Sequence, residues 1–169
     1  TDRPVITGPV VVKPAKSVVE VDGRSSRQGV RFVDDISRFH EVLAEYPPEA
    51  YPLLVQERTI GDGIGVFLLR IERRTRLQFA HRRLREKPPA GGVSTYRESI
   101  VPPPDLLAKS EQLLDQLEFS GPAMIEFKQD AATGDYVLME INARLWGSLQ
   151  LAIDAGVDFP AALIATTLG

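Results

Sequence analysis

Hydrophobic and polar positions change period several times along this chain, and each change marks an element. Pro9 to Lys13 (PVVVK) is a β-branched run, read as a buried strand. Pro14 to Gln28 has no apolar period and holds Gly23, Ser25 and Ser26, which predicts a mobile loop or loose hairpin. Val30 to Val33 reads as the returning strand. From Ile36 the spacing turns helical: Ile36, Phe39, Leu43 and Tyr46 fall on one face, Asp34 or Asp35 can cap the start, and Pro47 and Pro48 end it. Leu53 to Glu57 is a strand, TIGDGIG a tight connection, and Val66 to Arg73 another strand on which Arg76 to Arg85 pairs back. KPPAGG, from Lys87 to Gly92, is a loop by composition. Pro104 opens a helix whose Leu106, Leu113, Leu114 and Leu117 form an apolar stripe. Strands at 122–129 and 136–142 are joined around ATGD. Helices near 145–155 and 158–168, broken at Gly156, close the chain. The pattern is mixed α+β with mostly hairpin-connected strands and no repeat.

Composition narrows the function classes. The 169 residues are enough for one domain or two small lobes, and the net charge of -3 asks for neither nucleic acid nor an anionic membrane surface. With no cysteine, disulfides and thiolate metal sites are excluded. No apolar run is long enough to span a bilayer and TDRPVITGPV lacks a signal-peptide pattern, so a cytoplasmic protein is the default expectation.

The chemistry concentrates in the hairpin 122–142. Side chains alternate along a strand. Tyr136, Leu138, Glu140 and Asn142 are therefore expected on one face, with Val137, Met139 and Ile141 on the other. Met124, Glu126 and Lys128 share a face of the preceding strand. A hairpin symmetric about Thr133 sets Glu126 opposite Glu140. Opposed like charges destabilise a sheet. The pair makes sense around a hard cation, and two carboxylates with an amide oxygen suit Mg²⁺. The plain alternative is a solvated Glu126 with Glu140 paired to Lys128. Arg144 follows in phase and can clamp a phosphate or carboxylate, or form a surface ion pair. Lys13 ends its strand facing DGRSSRQG, where a lysine beside a small-residue loop can hold phosphate oxygens, or simply reach solvent. Neither GxxxxGK[ST] nor GxGxxG is present.

Arg70 to Lys87 carries eight basic residues against two glutamates, which raises nucleic acid as a rival partner. Phe79 is the only stacking aromatic there, so a salt-bridged hairpin is the better reading. His81 has only the distant His40 for company, which argues against a metal role. Trp146 either lines an acceptor pocket or packs the helix start, with packing preferred. Strand alternation alone leaves Arg82 and Arg83 as equal candidates for any contact that strand makes.

In this order the pieces resemble the ATP-grasp superfamily, especially its carboxylate–amine ligase and carbamoyl-phosphate-synthase-like members. The likeness runs from about residue 9 to 169. PVVVKP looks like the strand whose lysine, here Lys13, touches the nucleotide phosphates. GRSSRQGV, with Ser26, occupies the place of the phosphate-covering loop, although it is serine- and arginine-rich where the family is glycine-rich. LLVQERTIGDGIGV is similar to the hinge strand, which implies adenine contacts around Gln56, Glu57 and Arg58 and a ribose contact from Glu57 or Asp62. HRRLREKPPAGG is similar to the basic strand beside the triphosphate and acceptor, implicating Arg83. MIEFKQD and LMEINARLWGS look like the two metal-binding strands. The resemblance thus implies an ATP-grasp fold with a small lobe over 1–52 and a large lobe over 53–169, and ATP held between them. It implies Mg²⁺, with Mn²⁺ as an alternative, on Glu126, Glu140 and Asn142, and Arg144 facing the transferred phosphoryl group. The implied reaction activates a small-molecule carboxylate as an acyl phosphate for attack by an amine, with no membrane partner and a homo-oligomer left open. The domain and lysine that family members carry ahead of PVVVKP are missing from these residues, so the chain reads as the core of a longer enzyme. An ATP-binding interaction domain without turnover is the alternative.

Overall fold

The computed structural model describes residues 8–16, 18–87 and 93–168, in two units that divide between Arg58 and Thr59. The expected loop beyond Lys87 lies outside the described residues.

In the first unit, β1 (Val10–Pro14) is the central strand of a three-stranded antiparallel sheet, flanked by β4 (Arg31–Val33) and β5 (Leu53–Glu57). Val10 and Val12 alternate inward to join Val33, Val42, Tyr46 and Ala50 in a small core under α1 (Phe39–Ala44). A single 3₁₀ turn, Ile36–Arg38, precedes that helix, and the Asp35 carboxylate accepts its Ser37 N–H at 2.9 Å. Asp34, the other capping candidate, instead pairs with Arg58. The stretch 14–28 holds a regular hairpin, β2 (Val18–Val21) and β3 (Arg24–Arg27). Asp22 and Gly23 both take positive φ, 50° and 72°, which is what a two-residue turn matched to strand twist requires. Few of its side chains are buried, so it shows no apolar period. β5 belongs to this unit because it pairs with β1 throughout.

The second unit is built on a five-stranded antiparallel sheet. Its strands are β6 (Gly61–Ile71), β7 (Arg74–Lys87), β8 (Val93–Ile100), β9 (Gly121–Asp130) and β10 (Tyr136–Asn142), in the order β10-β9-β6-β7-β8. One face carries Ile64, Val66, Leu68, Ala123, Ile125 and Phe127, covered by Leu106 and Leu114 of α2 (Pro104–Gln116). The other carries Phe67, Leu69, Phe79 and Met124, covered by Trp146, Ala152 of α3 (Leu149–Asp154) and Phe159 of α4 (Phe159–Leu168). The central strand is buried on both faces, which is why VFLL reads as an unbroken apolar run.

The structure differs from the sequence pattern at three places. TIGDGIG is not a connection, because β6 starts at Gly61. Its glycines serve close approach within a sheet. Gly61 sits at φ 155°, and a Cβ there would lie 1.8 Å from the Gln129 carbonyl oxygen; a Cβ on Gly65 would meet Phe67 at 2.8 Å and the His81 ring at 2.9 Å. Secondly, β8 is a strand the sequence reading passed over, since VSTYRESI is a largely polar edge strand. The helix expected from 145 begins only at Leu149. Among the described residues no helix is long and apolar enough to cross a membrane.

Candidate functional site

The register of β9 and β10 decides the site. Leu138 pairs with Phe127, and Glu140 pairs with Glu126, leaving Met139 as an extra residue between them. This bulge reverses the alternation of β10. Tyr136 packs toward the α2 core, whereas Glu140 lies beside Glu126 on the opposite face. The expectation that Tyr136, Leu138, Glu140 and Asn142 share one face is therefore corrected: the bulge separates the first two from the last two. Without it, the pairing of Leu138 with Phe127 would carry Glu140 onto the apolar α2 face. Lys128 pairs with Val137, not with Glu140.

Around this pair the polar groups form a chain. Asn142 Nδ2 donates to Glu140 Oε1 at 2.9 Å, and Arg144 Nη2 donates to Asn142 Oδ1 at 3.2 Å. Arg144 Nη1 also donates to the Leu145 carbonyl at 3.0 Å, which holds the guanidinium at the end of β10. Glu126 is buried and Glu140 is exposed. Arg83 Nη2 donates to Glu126, and Arg83 Nη1 lies 3.3 Å from Glu86 Oε1. Burial lifts the Glu126 carboxyl above its ordinary pKa; Arg83 pulls against that, and Glu140 adds to it. Burial opposes the charge on Arg83, but Glu126 and Glu86 more than offset it and its pKa is raised. Arg82 and Arg83 differ by face: Arg82 meets Glu98 at the surface, and Arg83 reaches Glu126 of the carboxylate pair.

Next to Glu126 across the sheet stand Gly65 and then His81. His81 is buried against Phe67, with its Nδ1 3.3 Å from Ser148 Oγ. Burial, then the charges of Arg97 and Arg83, lower its pKa to about 3, so the ring is neutral at physiological pH. The unfolded chain takes up this proton near pH 6.5 and the folded chain only near 3, so stability is lost as pH falls through that window. Urea unfolding of the wild type is expected to lose up to about 1.4 kcal/mol per pH unit from this residue. In His81→Gln the slope between pH 6 and 4 should shrink by about that amount, and an unchanged slope sinks the assignment.

The profile of the family described as ATP-grasp in the biosynthetic pathway with Ter operon matches residues 49–169, which include all of the second unit. The chain belongs to this ATP-grasp family. No curated protein matches it. Solved structures similar to it include the L-amino acid ligase of Bacillus licheniformis, at 16% identity and TM-score 0.64, over 93% of this chain and 38% of that one. Biotin carboxylase of Campylobacter jejuni, solved with β-γ-ATP, is similar at 14% identity and TM-score 0.69, over 90% and 35%. The D-alanine–D-alanine ligase of Bacillus anthracis is similar at 21% identity and TM-score 0.60, over 95% and 54%. These likenesses show the ATP-grasp fold, and the chain spans well under two thirds of each of these proteins.

The remaining residues implied by the ATP-grasp resemblance distribute as follows. Lys13, Leu54 and Gln56 share the face of the first sheet away from α1, and Arg58 lies over the Phe32 ring at 4.8 Å on that same face. Glu57 pairs with Val10 and so belongs to the other face. Among the described residues β5 is an edge strand, paired only with β1; the Arg58 N–H donates to the Pro9 carbonyl at 2.9 Å. Ser26 sits on the β2–β3 hairpin and accepts from Gln28 Nε2 at 2.9 Å. Asp62 lies in the second unit in phase with Ile64, on the α2 face and away from Glu126. The basic stretch 70–87 does not form one patch: Arg70 is buried with Asp115, Arg73 pairs with Glu118, and Arg82 and Arg83 split between two sets of carboxylates. Trp146 packs between Phe67 and Phe159, at 4.3 and 4.9 Å between ring centroids.

Arg97 was missed with its strand. It stands directly across from Arg83 in the β7–β8 register. Burial and the facing Arg83 lower its pKa, with Glu126 pulling the other way. The signal was there in the β-branched and aromatic positions of VSTYRESI.

Proposed function

We propose that this chain is the nucleotide-binding core of an ATP- and Mg²⁺-dependent ligase that activates a small-molecule carboxylate and joins it to an amine. The observation that carries this reading is the direct pairing of Glu126 with Glu140, with Asn142 on the same face. Two carboxylates and an amide oxygen suit a hard cation that fills its other positions with water and phosphate oxygens. When bound, Mg²⁺ supplies charge compensation to the phosphates. Mn²⁺ can take the same oxygens.

In the reaction so proposed, a carboxylate oxygen attacks the γ-phosphorus and the bond to ADP breaks. The amine nitrogen then attacks the acyl carbon, phosphate leaves, and the nitrogen loses a proton. Arg144 stabilises the transferring group electrostatically, with Arg83 held close by Glu126. The names of the L-amino acid and D-alanine–D-alanine ligases support an amino acid as the activated carboxylate.

The test is calorimetric titration of the full protein with a non-hydrolysable ATP analogue, with Mg²⁺ and then with excess chelator. Saturable binding that collapses on chelation is expected, together with phosphate release from ATP that requires both an acid and an amine. Nucleotide affinity indifferent to the chelator overturns the cation reading. Binding without phosphate release for any acid–amine pair would make the chain a binding module.

A further inference from the structure

His81 has no part in the proposed reaction, yet it is 2% exposed and lies in the cross-strand row of Glu126. Gly65 pairs with Glu126 on one side and with His81 on the other. Having no side chain, Gly65 lets the imidazole lie over the central strand: a Cβ there would stand 2.9 Å from His81 Nε2. One end of the ring therefore rests on the residue next to Glu126. The other end, Nδ1, lies 3.3 Å from Ser148 Oγ. Two things are given up for this contact. His81 Nε2 has no hydrogen-bond partner among the described residues, and a buried polar atom so left is destabilising. Ser148 stands just before α3, where a serine hydroxyl ordinarily caps the helix, yet its side chain makes no cap bond. An apolar side chain at position 81 and a capping hydroxyl at 148 would serve the core and the helix better. What the arrangement supplies instead is a fixed distance between β7 and the start of α3.

We propose that His81 and Ser148 are a positioning pair that sets where Arg144 stands relative to Glu126 and Glu140. This rests on the role given to Arg144 above. Segment 143–148 leaves β10 and must settle on the sheet before α3 begins. Trp146 holds it by packing against Phe67, a contact without direction. A hydrogen bond has both a length and a direction, so the Ser148 contact selects one placement of the segment. The Trp146 and Ser148 carbonyls accept the Leu149 and Leu151 N–H groups at 3.2 and 3.1 Å, so α3 starts from the residues so held. Arg144 donates to Asn142 Oδ1 on the strand side and to the Leu145 carbonyl on the segment side. Its guanidinium bridges the two, and its position follows the segment.

The experiment is hydrogen exchange of the Leu149 and Leu151 amides, with side-chain nitrogen relaxation of Arg144 Nε, in the full protein without nucleotide or metal. In Ser148→Ala and in His81→Leu both amides should exchange about 2- to 13-fold faster, the weight of one neutral hydrogen bond, and Arg144 Nε should gain mobility. Amides of β9 should exchange as in the wild type. The thermal midpoint of His81→Leu should hold or rise, because an unpartnered buried nitrogen has gone. His81→Asn sets an amide where Nδ1 stands and should bring back slow exchange. Wild-type exchange and Arg144 relaxation in Ser148→Ala overturn the pair. So does faster exchange throughout the sheet in His81→Leu with no rescue by His81→Asn, which would make His81 a core residue only. None of these readouts needs a ligand. Nucleotide binding indifferent to chelator would remove the cation reading and leave the pair standing.

Discussion

Glu140→Ala is expected to lower Mg²⁺-dependent ATP affinity by more than about 100-fold while leaving the fold intact. The two effects separate because Glu140 is exposed and its partner is not. Glu126 is anchored by burial and by Arg83, whatever happens on β10. Truncating Glu140 removes a like charge from a directly opposed position, worth roughly 0.2–1 kcal/mol in a sheet, so stability should hold or rise slightly. The Asn142 amide loses its acceptor at 2.9 Å but remains near solvent, where that loss is small. Cation affinity has no such reserve. Changes in groups that merely orient a metal ligand cost about 10–100-fold, so loss of one of two carboxylate ligands should exceed that. Titration with an ATP analogue and Mg²⁺ gives the affinity, and urea unfolding the stability. Unchanged affinity removes Glu140 from the metal site. A fall in both together would mean a structural carboxylate instead.

The carboxylate pair was legible in the sequence because strand period and hairpin symmetry suffice to find it. Its setting was not, for a definite reason. The bulge at Met139 changes which residues of β10 share the face, and nothing in YVLMEIN announces an extra residue. The glycines of TIGDGIG misled in the opposite sense. Glycine marks both turns and close approaches, and only the nearness of His81, Phe67 and the Gln129 backbone distinguishes the two. Arg97 was hidden because β8 is a polar edge strand; once it is paired, register alone brings it to Arg83. By contrast α2, with its proline start and leucine stripe, was found from pattern alone, since its core face is apolar and the rest is not.

Trp146→Ala carries the largest expected stability loss, about 3–5 kcal/mol. Trp146 is 5% exposed, wedged between Phe67 of the central strand and Phe159 of α4. Its carbonyl also accepts the Leu149 N–H at 3.2 Å, which starts the turn into α3. The residue therefore joins the sheet face, the two closing helices and the segment that follows Asn142 and Arg144. Truncation leaves a cavity that rigid strands on one side cannot close. Trp146→Phe should cost much less. The ring contacts survive, and the indole N–H has no hydrogen-bond partner among the described residues, so no bond is forfeited. Urea unfolding followed by far-ultraviolet circular dichroism measures both variants; fluorescence cannot, because this is the chain's single tryptophan. The alternative placed Trp146 in an acceptor pocket. That role predicts the reverse pattern, with stability changed by less than about 1 kcal/mol and KM for the acid or amine raised in both variants. Depth of burial between two aromatic rings favours the clamp. Arg144, tied to the Leu145 carbonyl one residue before the indole, should then lose its orientation in Trp146→Ala and keep it in Trp146→Phe. Phosphate release should follow the same split, since a guanidinium that stabilises a transferring group acts only when it is held in place.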